Sequence, residues 1–103
     1  MTAIEPHAGT AIYSGLCTNR PREVRRSVRF AAKTLRRAAG ARRRSPVSCQ
    51  LYNGAAQARA ALAAAYPEPT TGDLAELDQF NTFLDRHDGR CVLIIATCEV
   101  THA

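Results

Sequence analysis

Residues 90–100 read Arg-Cys-Val-Leu-Ile-Ile-Ala-Thr-Cys-Glu-Val, and no other stretch restricts the fold as much. Their β-branched content predicts a strand, and the run from Val92 to Ala96 leaves neither face polar. A strand that is apolar on both faces needs cover on both faces, as a central strand has.

Three helices are available as that cover. Thr18, Asn19 and Pro21 signal a helix start, since proline suits the first turn. The helix is expected over residues 21–39, with Gly40 as its stop. A basic loop follows over 42–46. Asn53 and Gly54 lead into an alanine-rich helix that ends near Tyr66, alanine having the best helix propensity. Pro67 and Pro69 close it. Thr71 is the expected N-cap of a third helix running from Asp73 to about His87, with Asp73 and Glu76 in the first turn, where the helix dipole favours acids. Its core stripe is expected to be Leu74, Leu77, Phe80 and Leu84, with Phe83 off centre. Residues 11–16 and 47–52 are expected to be two further short strands. The order β-α-β-α-α-β predicts an α+β (or small α/β) domain: a three-stranded mixed sheet packed with three helices. The alternative is a mostly helical protein whose C-terminal strand pairs with one other strand or with a second copy. The length of 103 residues suits one domain over 1–103, with residues 1–9, His7 among them, expected to fray.

The net charge of +5 is unevenly placed. Residues 1–50 hold eleven Arg or Lys against two acids, a net +9, whereas residues 51–103 hold three Arg against seven acids, a net −4. Such asymmetry implies an anionic partner for the first half, or attraction between the halves.

On a helical wheel of residues 22–39, Val24, Val28, Ala31, Ala32, Leu35, Ala38 and Ala39 fall in one apolar stripe. Arg22, Arg25, Arg26, Arg29, Lys33, Arg36 and Arg37 fill the opposite arc, and Phe30 sits at its edge beside Glu23 and Thr34. Cations at (i, i+3) and (i, i+4) repel by a few tenths of about 1 kcal/mol per pair, so the arrangement weakens the helix unless an anion offsets it. Arg42, Arg43 and Arg44 extend the positive surface.

These residues are the expected binding site of a small non-enzymatic regulatory or accessory protein that takes nucleic acid electrostatically, with Phe30 stacking or wedging. If about five charges meet DNA phosphates, the slope of log affinity against log salt is about −4 to −5. The alternative is an interaction module or inhibitor whose basic helix docks on an acidic protein surface, in one form as a homodimer through the C-terminal strand. A surface covered by Glu68, Asp73, Glu76 and Asp78 of the same chain would support neither. No helix-turn-helix is expected, because residues 66–72 are too long and proline-rich for its turn.

No membrane span is expected, since the longest apolar run, residues 92–98, falls far short of about 20 residues. The first twenty residues lack a signal-peptide core, which places the chain in the cytoplasm and makes Cys17, Cys49, Cys91 and Cys98 free thiols. No cofactor or metal is expected. Cys98 and His102 share a strand face with Cys91 on the opposite one, but no paired ligand spacing marks a zinc site. The run from Gly15 to Arg22 resembles the phosphate loop of cysteine phosphatases, C-x5-R. That resemblance implies Cys17 as a nucleophile, but the arginine is Arg22, one position early, and Glu23 stands in its place. His87 is expected to complement the dipole of its helix, with Asp85 and Asp88 as solvated neighbours.

Overall fold

The structure, a computed structural model, describes residues 3–7 (by their backbone), 9–42, 45–87 and 89–99. The elements are β1 (Ala3–His7), β2 (Thr10–Thr18), α1 (Pro21–Ala38), β3 (Ser48–Asn53), α2 (Ala55–Ala65), α3 (Thr71–His87) and β4 (Cys91–Glu99). From β2 onward this is the expected β-α-β-α-α-β order of an α+β fold with three helices.

Within the segment expected to fray, residues 3–7 form β1. It pairs antiparallel with β2, and its register breaks between Ile4 and His7, around Pro6. Proline argues against a strand because it cannot donate to a ladder, yet an edge strand tolerates it. β1 is such an edge, since the sheet order is β1-β2-β4-β3.

β4 lies between β2 and β3 and pairs antiparallel with both, from Thr18↔Cys91 to Thr10↔Glu99 on one side and from Asn53↔Val92 to Ser48↔Thr97 on the other. β2 and β3 therefore run parallel to one another, as a crossover through α1 allows, while every hydrogen-bonded pairing is antiparallel.

Helices cover both faces. Val92, Ile94, Ala96 and Cys98 of β4 pack with Ala11, Tyr13 and Cys17 of β2 against Ala31 and Leu35 of α1 and the adjoining Ala39. Cys91 and Leu93 face the other way, into Ala58 and Leu62 of α2 and Phe80 and Leu84 of α3. The two-faced apolar character of the last strand is thus used in full, and Cys91 and Cys98 point to opposite sides.

Local chemistry sets the helix ends. Pro21 begins α1 after Arg20, whose side chain makes no capping bond. At the other end Gly40, at φ 65°, donates to Arg37 O (3.3 Å), and Ala41 N donates to Arg36 O (2.9 Å). This doubly bonded turn needs the left-handed conformation that glycine adopts without penalty. At α3 the cap is Thr70 and not Thr71. Asp73 N donates to Thr70 Oγ1 (3.1 Å) and Thr70 N donates to Asp73 Oδ2 (3.0 Å), a reciprocal capping box one residue earlier than expected. Leu74 departs from the expected stripe at 54% exposed, while Phe83 is drawn in beside Leu77, half-buried against the α2–α3 cluster. Arg59 and Asp85 join α2 to α3 by an ion pair of 2.6 Å. No helix among the described residues is long and apolar enough to cross a membrane.

Candidate nucleic-acid interface

α1 lies on one face of the sheet, and its stripe is buried as the wheel requires: Ala31, Leu35 and Ala39 fully, Val24 and Val28 in part. Ala38 falls outside it and is exposed. The opposite arc faces outward. Arg22, Arg25, Arg26, Arg29, Lys33 and Arg37 are all exposed, as is Arg42 just beyond the helix. Arg43 and Arg44 lie outside the described residues.

Arg36 differs from its neighbours. It is half-buried, and its Nε donates to the carbonyl oxygen of Ser45 at 2.8 Å. The guanidinium pins the segment leading into β3 and is committed in part to the fold.

Four acids of the second half lie away from this ridge. Glu68, Asp73, Glu76 and Asp78 belong to α3 and the link before it, across the sheet from α1. Among the described residues the acid on α1 itself is Glu23, in the first turn, where it accepts a hydrogen bond from the Thr18 hydroxyl.

The positive surface continues where the sequence did not indicate. A cleft of about 710 Å³ opens at the start of α1, lined by Thr18, Asn19, Arg20, Glu23, Arg86, His87 and Arg90. Arg20 follows β2, Arg86 and His87 end α3, and Arg90 precedes β4. A second depression, lined by Arg20, Arg22, Glu23 and Arg26, joins this cleft to the ridge. Guanidinium groups gathered from separate segments can share an oxyanion, each through paired N–H donors. Arg86 and Arg90 belong to the acidic half, so charge counting overlooked them, and it is the β2–β4 pairing, with Thr18 opposite Cys91, that puts the end of α3 and the turn before β4 at the same end of the sheet as Arg20. His87 stacks on Phe83, with ring centroids 4.1 Å apart.

Phe30 is 56% exposed, and its ring meets that of Tyr13 edge to face, with centroids 6.3 Å apart and planes at 69°. Tyr13 itself is buried.

Cys17 does not sit as the phosphatase resemblance implies. It lies within β2, opposite Val92, buried under α1, with its thiol toward Val92 O at 3.9 Å. Burial foremost, then the Glu23 carboxylate and Cys91, push its pKa up, and a hydrogen bond with Ser27 offsets this in part. A nucleophilic thiol needs the reverse shift. Cys49 and Cys91 are also raised by burial, with Arg36 and Arg59 respectively opposing. All four cysteines are free thiols. Among the described residues no three His, Cys, Asp or Glu come together as metal ligands, and His102 lies outside those residues.

The expected dimerisation route through the C-terminal strand is closed. Both edges of β4 are already paired, and among the described residues the outer strands of the sheet are β1 and β3.

The fold and surface define a class in physical terms: a small sandwich of one basic helix, a four-stranded sheet and two further helices. Set against protein-family models, curated proteins and solved structures, the chain matches none.

Proposed function

We propose that this protein is a non-enzymatic regulatory or accessory factor that binds nucleic acid electrostatically through α1. The observation that carries the reading is the exposed ridge: six exposed cations on one helix face, with no ion pair to them among the described residues and the chain's acidic helix on the far side of the sheet. Such a surface loses helix stability to self-repulsion and regains it when phosphates replace its counterions. Arg22, Arg25, Arg26, Arg29, Lys33 and Arg37 supply the contacts, Arg42 extends them at one end, and Arg20, Arg86 and Arg90 at the other. Arg36 contributes charge from a half-buried position.

Reversing Arg25, Arg29 and Lys33 to Glu tests the reading. Fluorescence anisotropy with a labelled oligonucleotide should show binding abolished, while circular dichroism and the thermal midpoint stay near those of the parent. Retained binding refutes it. An acidic-protein partner is the competing reading, and a parent protein that ignores nucleic acid at low salt would favour it.

A further inference from the structure

Beside Phe30 the surface is concave. A slot of about 290 Å³ opens between α1 and β2, lined among others by Tyr13, Gly15, Arg26, Ser27, Phe30 and Ile94. Gly15 and Ile94 face each other across the β2–β4 ladder. The slot depends on Gly15 having no side chain. A Cβ there would stand 2.9 Å from Tyr13 Cε1 and 3.0 Å from its hydroxyl oxygen, so the phenol lies directly over the glycine. That buried phenol in turn holds the Phe30 ring by its edge-to-face contact.

Two consequences follow for what can enter. An exposed phenyl ring whose partner is immobile is preorganised, so stacking on it forfeits little side-chain freedom. A ring set edge to face on a buried tyrosine 6.3 Å away lies over the slot and does not stand clear of the helix as a wedge between stacked base pairs must. The slot receives a planar group and does not supply one. Its volume lies just below the range of about 300–1,000 Å³ usual for drug-sized ligands, which suits one ring system. Arg26 adds donors at its rim, the Ser27 hydroxyl being engaged with Cys17, and Arg22, Arg29 and Lys33 provide the flanking charge that a strand entering it needs.

We infer that the nucleic acid bound here is single-stranded, and that one unpaired base leaves the strand to stack on Phe30 in this slot while the flanking phosphates lie along the α1 ridge. The inference rests on the nucleic-acid reading above and narrows it. A basic track interleaved with an aromatic platform is how proteins hold single strands without reading sequence, since every base has a π-face.

The test uses the full chain and three probes: a mixed-sequence 20-nucleotide single strand, the same strand annealed to its complement, and a strand of equal length made of abasic sites, which keeps the phosphates and lacks the bases. The single strand should bind more tightly than either other probe. Phe30→Ala should weaken single-strand binding by roughly 5- to 150-fold, the range that one base–aromatic stack spans, and should leave the abasic strand's affinity unchanged. Phe30→Tyr should restore binding. Phe30→Trp introduces the chain's only tryptophan, whose emission should be quenched by the single strand and not by the abasic one. Circular dichroism guards against misfolding, and Phe30→Trp reports on the slot even if Phe30→Ala destabilises the domain. If Phe30→Ala binds the single strand as the parent does while the triple reversal abolishes binding, the slot falls and the ridge stands. Equal or tighter binding of the duplex likewise overturns the inference. If no probe binds at low salt, both readings fall together.

Discussion

Ser14 and Tyr66, fifty-two residues apart, share a hydrogen bond of 2.8 Å between hydroxyls, and it ties the middle of β2 to the residue that ends α2. Ser14 is 2% exposed in a strand otherwise given over to packing. A hydroxyl buried there without a partner would carry its full desolvation cost. Tyr66→Phe removes the partner and should destabilise the domain by about 1–3 kcal/mol in urea titrations. Ser14→Ala added to Tyr66→Phe should recover part of that loss, because no orphan hydroxyl remains. Additive losses in the double variant would show that the bond is not the coupling.

The capping box makes a position-specific prediction at α3. Thr70→Ala should cost about 1 kcal/mol, because Asp73 N loses its acceptor. Thr71→Ala, at an exposed first-turn position, should stay within about 0.5 kcal/mol of the parent. Chemical denaturation of the two variants side by side decides between adjacent threonines that the sequence pattern does not separate.

Alkaline pH should erode stability. Burial raises the pKa of Cys17, Cys49 and Cys91, and of Tyr13 and Tyr66, above their ordinary values. Above about pH 8.5 an unfolded chain begins to lose thiol protons that the folded chain keeps. Unfolding therefore becomes easier as pH rises, and the stability contribution is complete only below that point. The urea midpoint should be level below about pH 8 and fall between about pH 9 and 11, and a midpoint that rises there would contradict the assignment. Under native conditions a thiol reagent should label half-buried Cys49 ahead of buried Cys17, Cys91 and Cys98.

Two arginines seven residues apart on α1 should part in behaviour. Arg29→Gln should leave stability within about 0.5 kcal/mol and reduce the magnitude of the salt slope of nucleic-acid binding by about 0.7–0.9, the share of one phosphate contact. Arg36→Gln should lose about 1–2 kcal/mol of stability with its bond to Ser45 O, and should change that slope less.

Much of the architecture could be read locally. Pro21, the alternation of Val24, Val28, Ala31 and Leu35 with arginines, and Gly40 mark α1 to within a residue, because 3.6-residue periodicity and end chemistry act over one or two turns. Residues 92–96, apolar on both faces, announced a strand covered on both sides. Where a rule had two outcomes, the surroundings chose. Pro6 forbids a central strand but not an edge, so residues 3–7 can pair only at the rim of the sheet. Leu74 and Phe83 both lie near the stripe of α3, and packing on α2 and the sheet took Phe83.

The order of residues alone determined that a helix with cations along one arc must form, and that one strand must be buried. Tertiary structure alone decided that β4 enters antiparallel between β2 and β3, that the acidic helix lies on the far side of the sheet, that Arg36 turns to Ser45, and that Arg20, Arg86 and Arg90 meet at one cleft. It also set Phe30 against Tyr13 over a glycine in β2. Most of these relations join segments distant in the chain. Pairing and packing between distant segments leave no periodicity to read, because they depend on which buried surfaces find one another when the whole core closes.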